Sequence, residues 1–136
     1  MSDVVELLKL AGYSDKAIEL FMKKVNVGKI SNPDVSTTYT GICGDTMKIF
    51  LKVENGKIKD AKFQAIGCAG SFAAGSALTE MIKDKSLEEA EKITEKDIIG
   101  FLGKIPEQKL HCAHLAKKTL EKAINDYREK AKIKHS

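Results

Sequence analysis

Three cysteines, at positions 43, 68 and 112, are the residues of this chain best suited to chemistry, and each has company. Cys43-Gly44-Asp45 sets a thiol and a carboxylate two residues apart across a glycine, so that a turn there can aim both at one ion. His111-Cys112 adds an imidazole beside a thiol, and Cys68 follows Gly67. Three sulfurs, one nitrogen and one oxygen exceed the four donors that a tetrahedral zinc ion, or one edge of an iron–sulfur cluster, requires. An odd number of cysteines makes a poor disulfide framework, and a reducing compartment keeps them as thiols for metal, sulfur or nucleophilic chemistry. Spacing alone leaves two readings open: one shared metal site, or unconnected cysteines packed as small apolar residues.

Each cysteine falls at a junction between elements. From Asp3 to Leu10, Val4, Val5, Leu7 and Leu8 lie on one side of a helix that Gly12 interrupts. Ser14 starts a second helix that runs to about Val25, with Ala17, Ile18, Phe21 and Met22 on its buried stripe. Gly28 and Asn32-Pro33 mark a loop. Ser36 to Ile42 is Thr- and Tyr-rich, and Met47, Ile49, Leu51 and Val53 alternate with Lys48, Phe50, Lys52 and Glu54, the period of a strand. Asn55-Gly56 suits a tight hairpin turn into a third strand, Lys57 to about Ile66, with a bulge between Ile58 and Ala61. A small-residue-rich helix follows over about 71–82, and Ser86/Glu89 and Thr94/Asp97 open two more. From Leu110, the residues Ala113, Ala116, Leu120, Ile124 and Tyr127 recur at helical spacing. The order predicts an α+β fold, a three-stranded antiparallel meander with helices packed on one face. Cys68 and Cys112 then sit at helix starts, where the positive end of the helix dipole favours a thiolate.

Composition narrows the classes. The 136 residues are 43% hydrophobic and 31% charged, which predicts one compact domain spanning 1–136 with an added N-terminal helix at about 3–11. No apolar run approaches the ~20 residues of a membrane span, and the start Met1-Ser2-Asp3 lacks a basic secretory signal, so no membrane association and a cytoplasmic location are expected. The net charge of +4 comes from scattered lysines, and aromatics at 6% are too few for a nucleic-acid surface.

The segments Cys43-Gly44-Asp45-Thr46-Met47-Lys48, Gly67-Cys68 leading into Ser71 and Thr79-Glu80, and Lys109-Leu110-His111-Cys112 before Leu115-Ala116 resemble the three ligand segments of the IscU family, which includes the N-terminal domain of NifU. The similarity runs from about Tyr13 to Tyr127. It implies the IscU/SufE-like α+β sandwich and a non-enzymatic scaffold that assembles and passes on [2Fe-2S] clusters. By the same resemblance, Cys43, Cys68 and Cys112 are thiolate ligands, Cys112 is the persulfide acceptor, and Asp45 and His111 are alternates for the fourth position. The implied partners are an IscS/NifS-like cysteine desulfurase, a ferredoxin-like electron donor and apo iron–sulfur acceptor proteins. The implied cargo is iron and the cluster, with zinc as an occupant of the cluster-free form.

Two departures from the family pattern stand out. Ile105-Pro106-Glu107-Gln108-Lys109 replaces the Leu-Pro-Pro-Val-Lys segment of members served by a dedicated chaperone, which puts that partner in doubt. The helix before Tyr13 is extra, and it leaves room for an altered desulfurase contact or a homodimer. Two rival functions remain: a zinc-binding, SufU-like sulfur-transfer partner that stimulates a desulfurase, and a thiol enzyme built on Cys112 with a histidine base. The second is disfavoured because neighbouring helical residues point about 100° apart.

Overall fold

The computed structural model describes residues 2–42 and 44–135, with side chains described from Asp3 to Ala131. In chain order the elements are α1 (Ser2–Ala11), α2 (Asp15–Met22), β1 (Val35–Thr40), β2 (Thr46–Glu54), β3 (Lys57–Ile66), α3 (Ala69–Ile82), α4 (Leu87–Glu91), α5 (Glu95–Leu102), a short 3₁₀ turn (Glu107–Lys109) and α6 (His111–His135). The strands form one antiparallel sheet in the order β1-β2-β3. This is the α+β meander that the alternation in the sequence predicts.

Period-two patterning explains which face is covered. Val35, Met47, Ile49, Leu51, Ile58, Ala61 and Phe63 are buried on one side, beneath α3 and α6. Each large side chain among them contributes about 1.5–3 kcal/mol by leaving water. The Asn55-Gly56 turn has φ of 56° and 76° at its two residues, the left-handed pair that a two-residue hairpin needs. Past it, Lys52 pairs with Asp60 while Val53 pairs with Ile58, so Lys59 is the extra residue of a bulge. The bulge keeps both Ile58 and Ala61 facing the core.

The centre of the helical layer is α3. A Cβ added at Gly75 would lie 2.5 Å from the Phe63 ring, so only glycine lets the helix approach β3 this closely. Ala73, Ala74 and Ala77 are buried around it. Along its other side α6 buries Ala113, Ala116, Leu120, Ala123 and Ile124, and Asp126 accepts a 2.7 Å hydrogen bond from Thr37 Oγ1 that ties it to β1. Capping boxes at Ser86/Glu89 and Thr94/Asp97 fix α4 and α5. Such a cap is worth about 1 kcal/mol.

Three local expectations need correction. Helix α2 stops at Met22 rather than Val25, because Lys24 and Asn26 adopt φ of 49° and 62°. Its buried stripe holds Ala17, Ile18 and Leu20, while Met22 is exposed. Val27 then bridges to Phe63 in parallel, with Gly28 N–H donating to the Phe63 carbonyl, so part of the predicted loop runs along the edge of β3. In α1 only Val5 and Leu8 pack on the core; Val4, Leu7 and Leu10 are exposed.

Candidate metal and sulfur site

The hairpin connection from β1 to β2 carries Asp45. The Gly41 N–H bonds the Asp45 carbonyl at 2.9 Å, and Gly44 takes φ of 88°, the conformation for which a glycine is suited between the two ligand positions. Cys68 is the N-cap of α3, with extended backbone and no side-chain capping bond of its own. Cys112 is the second residue of α6, set after the 3₁₀ turn that Pro106 opens. The end of β2's hairpin, the start of α3 and the start of α6 therefore meet at one end of the sheet.

At that meeting point, Cys68 Sγ lies 3.7 Å from Cys112 Sγ and 3.9 Å from Asp45 Oδ2. His111 Nε2 comes within 3.8 Å of Cys112 Sγ, and the ligand atoms of Asp45, His111 and Cys112 all lie within 4.8 Å of one another. The histidine ring thus folds back to its neighbour's sulfur, which the simple helical angle between adjacent residues did not predict. Of the five residues singled out from the sequence, the structure brings together Asp45, Cys68, His111 and Cys112; Cys43 lies outside the described residues. His114 turns away from the cluster to pair with Glu95 Oε2 at 2.9 Å.

Electrostatically the two thiols are unequal. Cys68 falls to about 4, chiefly because the Cys112 thiol donates to it, with the Ser71 and Gly70 N–H groups adding to the effect against the opposing cost of burial. Cys112 is pushed up, first by that same contact with Cys68, then by its own burial and by the nearby negative charge of Cys68 and Asp45. The pair shares one proton, as close like charges must. Helix-start placement and the Cys112 contact both favour a thiolate at Cys68, whereas at Cys112 the Cys68 contact and burial oppose the helix-start effect.

Four further residues shape the site that residue types alone did not single out. Tyr13 is buried beside the thiols and is pushed up to about 12, by burial first and then by the charges of Cys68 and Cys112. A Cβ at Gly70 would lie 3.0 Å from Cys112 Sγ and 3.3 Å from Tyr13 Oη, so the bare backbone admits both. Ser71 is fully buried, and its hydroxyl donates to Asp45 Oδ2 at 2.7 Å. Gly67 lies under the same carboxylate, where a Cβ would meet Oδ2 at 2.7 Å. Gly67 and Ser71 fall within the second segment of the family resemblance, which gave them no role, while Gly70 was marked only by following Cys68 closely.

The donor set fits a borderline or soft metal held by sulfur, with one nitrogen and one oxygen in reach. The pocket beside it is apolar, lined by Ile42 and Leu115 together with Gly41, Asp45, His111 and His114.

Known proteins resemble this chain in sequence and in fold. A sequence model described as the NifU-like N terminal domain matches residues 12–134. The iron–sulfur cluster assembly scaffold protein IscU 1 of Archaeoglobus fulgidus is 47% identical over 123 residues, covering 89% of this chain and 80% of that relative. The nitrogen fixation protein NifU of Trichormus azollae is 43% identical over 125 residues, covering 85% of this chain and 42% of its own length. Among solved structures, a proposed SUF-system iron–sulfur cluster assembly scaffold from Fervidobacterium islandicum superposes with a TM-score of 0.68 at 28% identity, covering 82% of this chain and 96% of that one.

Proposed function

The chain belongs to the family of NifU-like N-terminal domains, and we propose that it serves as a scaffold on which iron–sulfur clusters, of the [2Fe-2S] type, are assembled and from which they are passed on. The observation that carries this reading is the meeting of Cys68, Cys112, His111 and the Asp45 carboxylate at one end of the sheet. Cys43, Cys68 and Cys112 are the proposed thiolate ligands, with Asp45 and His111 as alternates for the fourth position. Relatives named as scaffolds support the role.

Within this proposal Cys112 accepts sulfur. The shared proton moves from Cys112 to Cys68, and the Cys112 thiolate attacks the outer sulfur of a desulfurase persulfide. A Cys112 S–S bond forms, and the desulfurase cysteine leaves as its thiolate. Electrons from a ferredoxin-like donor then reduce the bound sulfur to sulfide as iron is gathered. Exposed Ile42, Ile66 and Leu110, each just ahead of a cysteine segment, offer an apolar rim where the desulfurase and the acceptor proteins dock.

A mixed ligand set suits a carrier that must let go. Four thiolates would hold a cluster firmly, whereas a carboxylate or imidazole is a harder and more exchangeable partner for iron. Replacing Asp45 with alanine is expected to slow cluster transfer to an apo acceptor, read by the acceptor's absorption over time. Equal transfer rates for the two proteins would remove Asp45 from the mechanism. The zinc-binding reading shares the same donors, and the metal content of reconstituted protein separates the two.

A further inference from the structure

Asp45 does not stand free at the site; it is seated. Its Oδ2 accepts the Ser71 hydroxyl at 2.7 Å, and bare Gly67 backbone lies directly beneath, where a Cβ would come within 2.7 Å of Oδ2, 2.8 Å of Cγ and 2.9 Å of Ser71 Oγ. Ser71 is fully buried, and its oxygen also lies 3.7 Å from Cys112 Sγ and 3.9 Å from Cys68 Sγ. A hydroxyl has a single proton to donate, and the shortest of these contacts assigns it to the carboxylate. A hydrogen bond to an ion in a buried place is among the stronger kinds.

We propose that Ser71 is a positioning residue that, with Gly67 as the floor, locks the Asp45 carboxylate beside the thiol pair and thereby sets how firmly that carboxylate holds metal. Oδ2 is also the oxygen that lies 3.9 Å from Cys68 Sγ, so the hydroxyl fixes the edge of the carboxylate that faces the thiols while leaving it lone pairs for a metal. The carboxylate's rotamers are restricted before any metal arrives, which lowers the entropic cost of binding. Two independent features, the buried hydroxyl and the missing Cβ, converge on the same carboxylate. The inference deepens the scaffold reading and rests on it, in that Asp45 is taken to be a ligand.

The test uses Zn²⁺ alone, titrated into the full metal-free chain against a competing chelator, for wild type, Ser71→Ala, Asp45→Asn and the double variant. Ser71→Ala is expected to weaken Zn²⁺ by about 10-fold, the usual effect of losing an outer partner of a ligand. In the Asp45→Asn background, where Cys68, His111 and Cys112 remain, the same change is expected to cost less than about twofold, because the hydroxyl acts through the carboxylate. Co²⁺ substitution gives a second readout: the visible ligand-field bands shift on Ser71→Ala while the thiolate charge-transfer intensity stays constant. Thermal melts of the metal-free proteins establish that each variant is folded. Equal Zn²⁺ affinity for wild type and Ser71→Ala overturns the role of Ser71 while leaving the metal site standing. An undiminished loss in the Asp45→Asn background overturns it too, by showing that Ser71 matters only to the fold. A wild-type chain that binds no Zn²⁺ overturns both the role of Ser71 and the donor set on which the scaffold reading rests.

Discussion

Cys68 and Cys112 are the same residue type at the starts of two helices, yet the charge settles on one of them. Cys68 stands at the N-cap of α3, outside its first turn, where the nearby N–H groups of Gly70 and Ser71 help lower its thiol although none makes a capping bond to the sulfur. Cys112 lies inside the first turn of α6, fully buried, and its thiol donates to Cys68. A thiolate at Cys68 that persists down to about pH 4 has a measurable consequence. Alkylation of metal-free protein by iodoacetamide at Cys68, followed by mass spectrometry, is expected to run at a nearly constant rate from pH 5 to 8 and to fall as pH drops through about 4. A rate that climbs about tenfold per unit between pH 6 and 8 would mark an ordinary thiol instead. Residue types were enough to select Asp45, Cys68, His111 and Cys112 as candidates, but their spacing left a common site undecided. The resemblance to a known family weighted that choice. Ser71 stood in the second segment of the family resemblance but drew no role, because a serine on a small-residue helix looks like any other until the carboxylate it holds is placed next to it.

The elements divide by how local their causes are. The alternation in β2, the Asn55-Gly56 turn and the two capping boxes act over a few residues, and each was legible in the chain. The end of α2 and the pairing of Val27 with Phe63 were not, because they depend on where β3 and α3 stand: Asn26 Nδ2 reaches Thr79 Oγ1 and Glu80 Oε2, and Lys83 Nζ reaches back to Asn26 Oδ1. The closest fit between elements is α3 on β3, at Gly75 against Phe63. Gly75→Ala forces that ring or the helix to move. Despite the better helix propensity of alanine, it is expected to lower stability by about 1–3 kcal/mol in urea denaturation. An unchanged or higher midpoint would show that the α3–β3 contact has slack. Since Cys68 and Ser71 ride on α3, the same shift also loosens the seat of Asp45.

At the scale of the whole molecule, the sheet and the helices α3 and α6 bring to one end Asp45, Cys68 and Cys112, separated along the chain by 23 and 44 residues, and the family match covers that assembly from residue 12 onward. Helix α1 lies ahead of the matched region and leaves Val4, Leu7 and Leu10 exposed. Among the described residues, no helix is long and apolar enough to cross a membrane. Among the described residues, Asp45, Cys68, His111 and Cys112 are gathered in one corner, as the proposed scaffold role requires. The central claim is therefore best tested by anaerobic reconstitution of the wild-type chain and of Cys68→Ser and Cys112→Ser with a cysteine desulfurase, cysteine, ferrous iron and a reductant. Iron, zinc and acid-labile sulfide are then counted per chain alongside the absorption spectrum. The account predicts a brown wild-type protein with iron and sulfide in equal amounts, and variants that hold little of either. A colourless wild-type protein carrying zinc and no sulfide would contradict it.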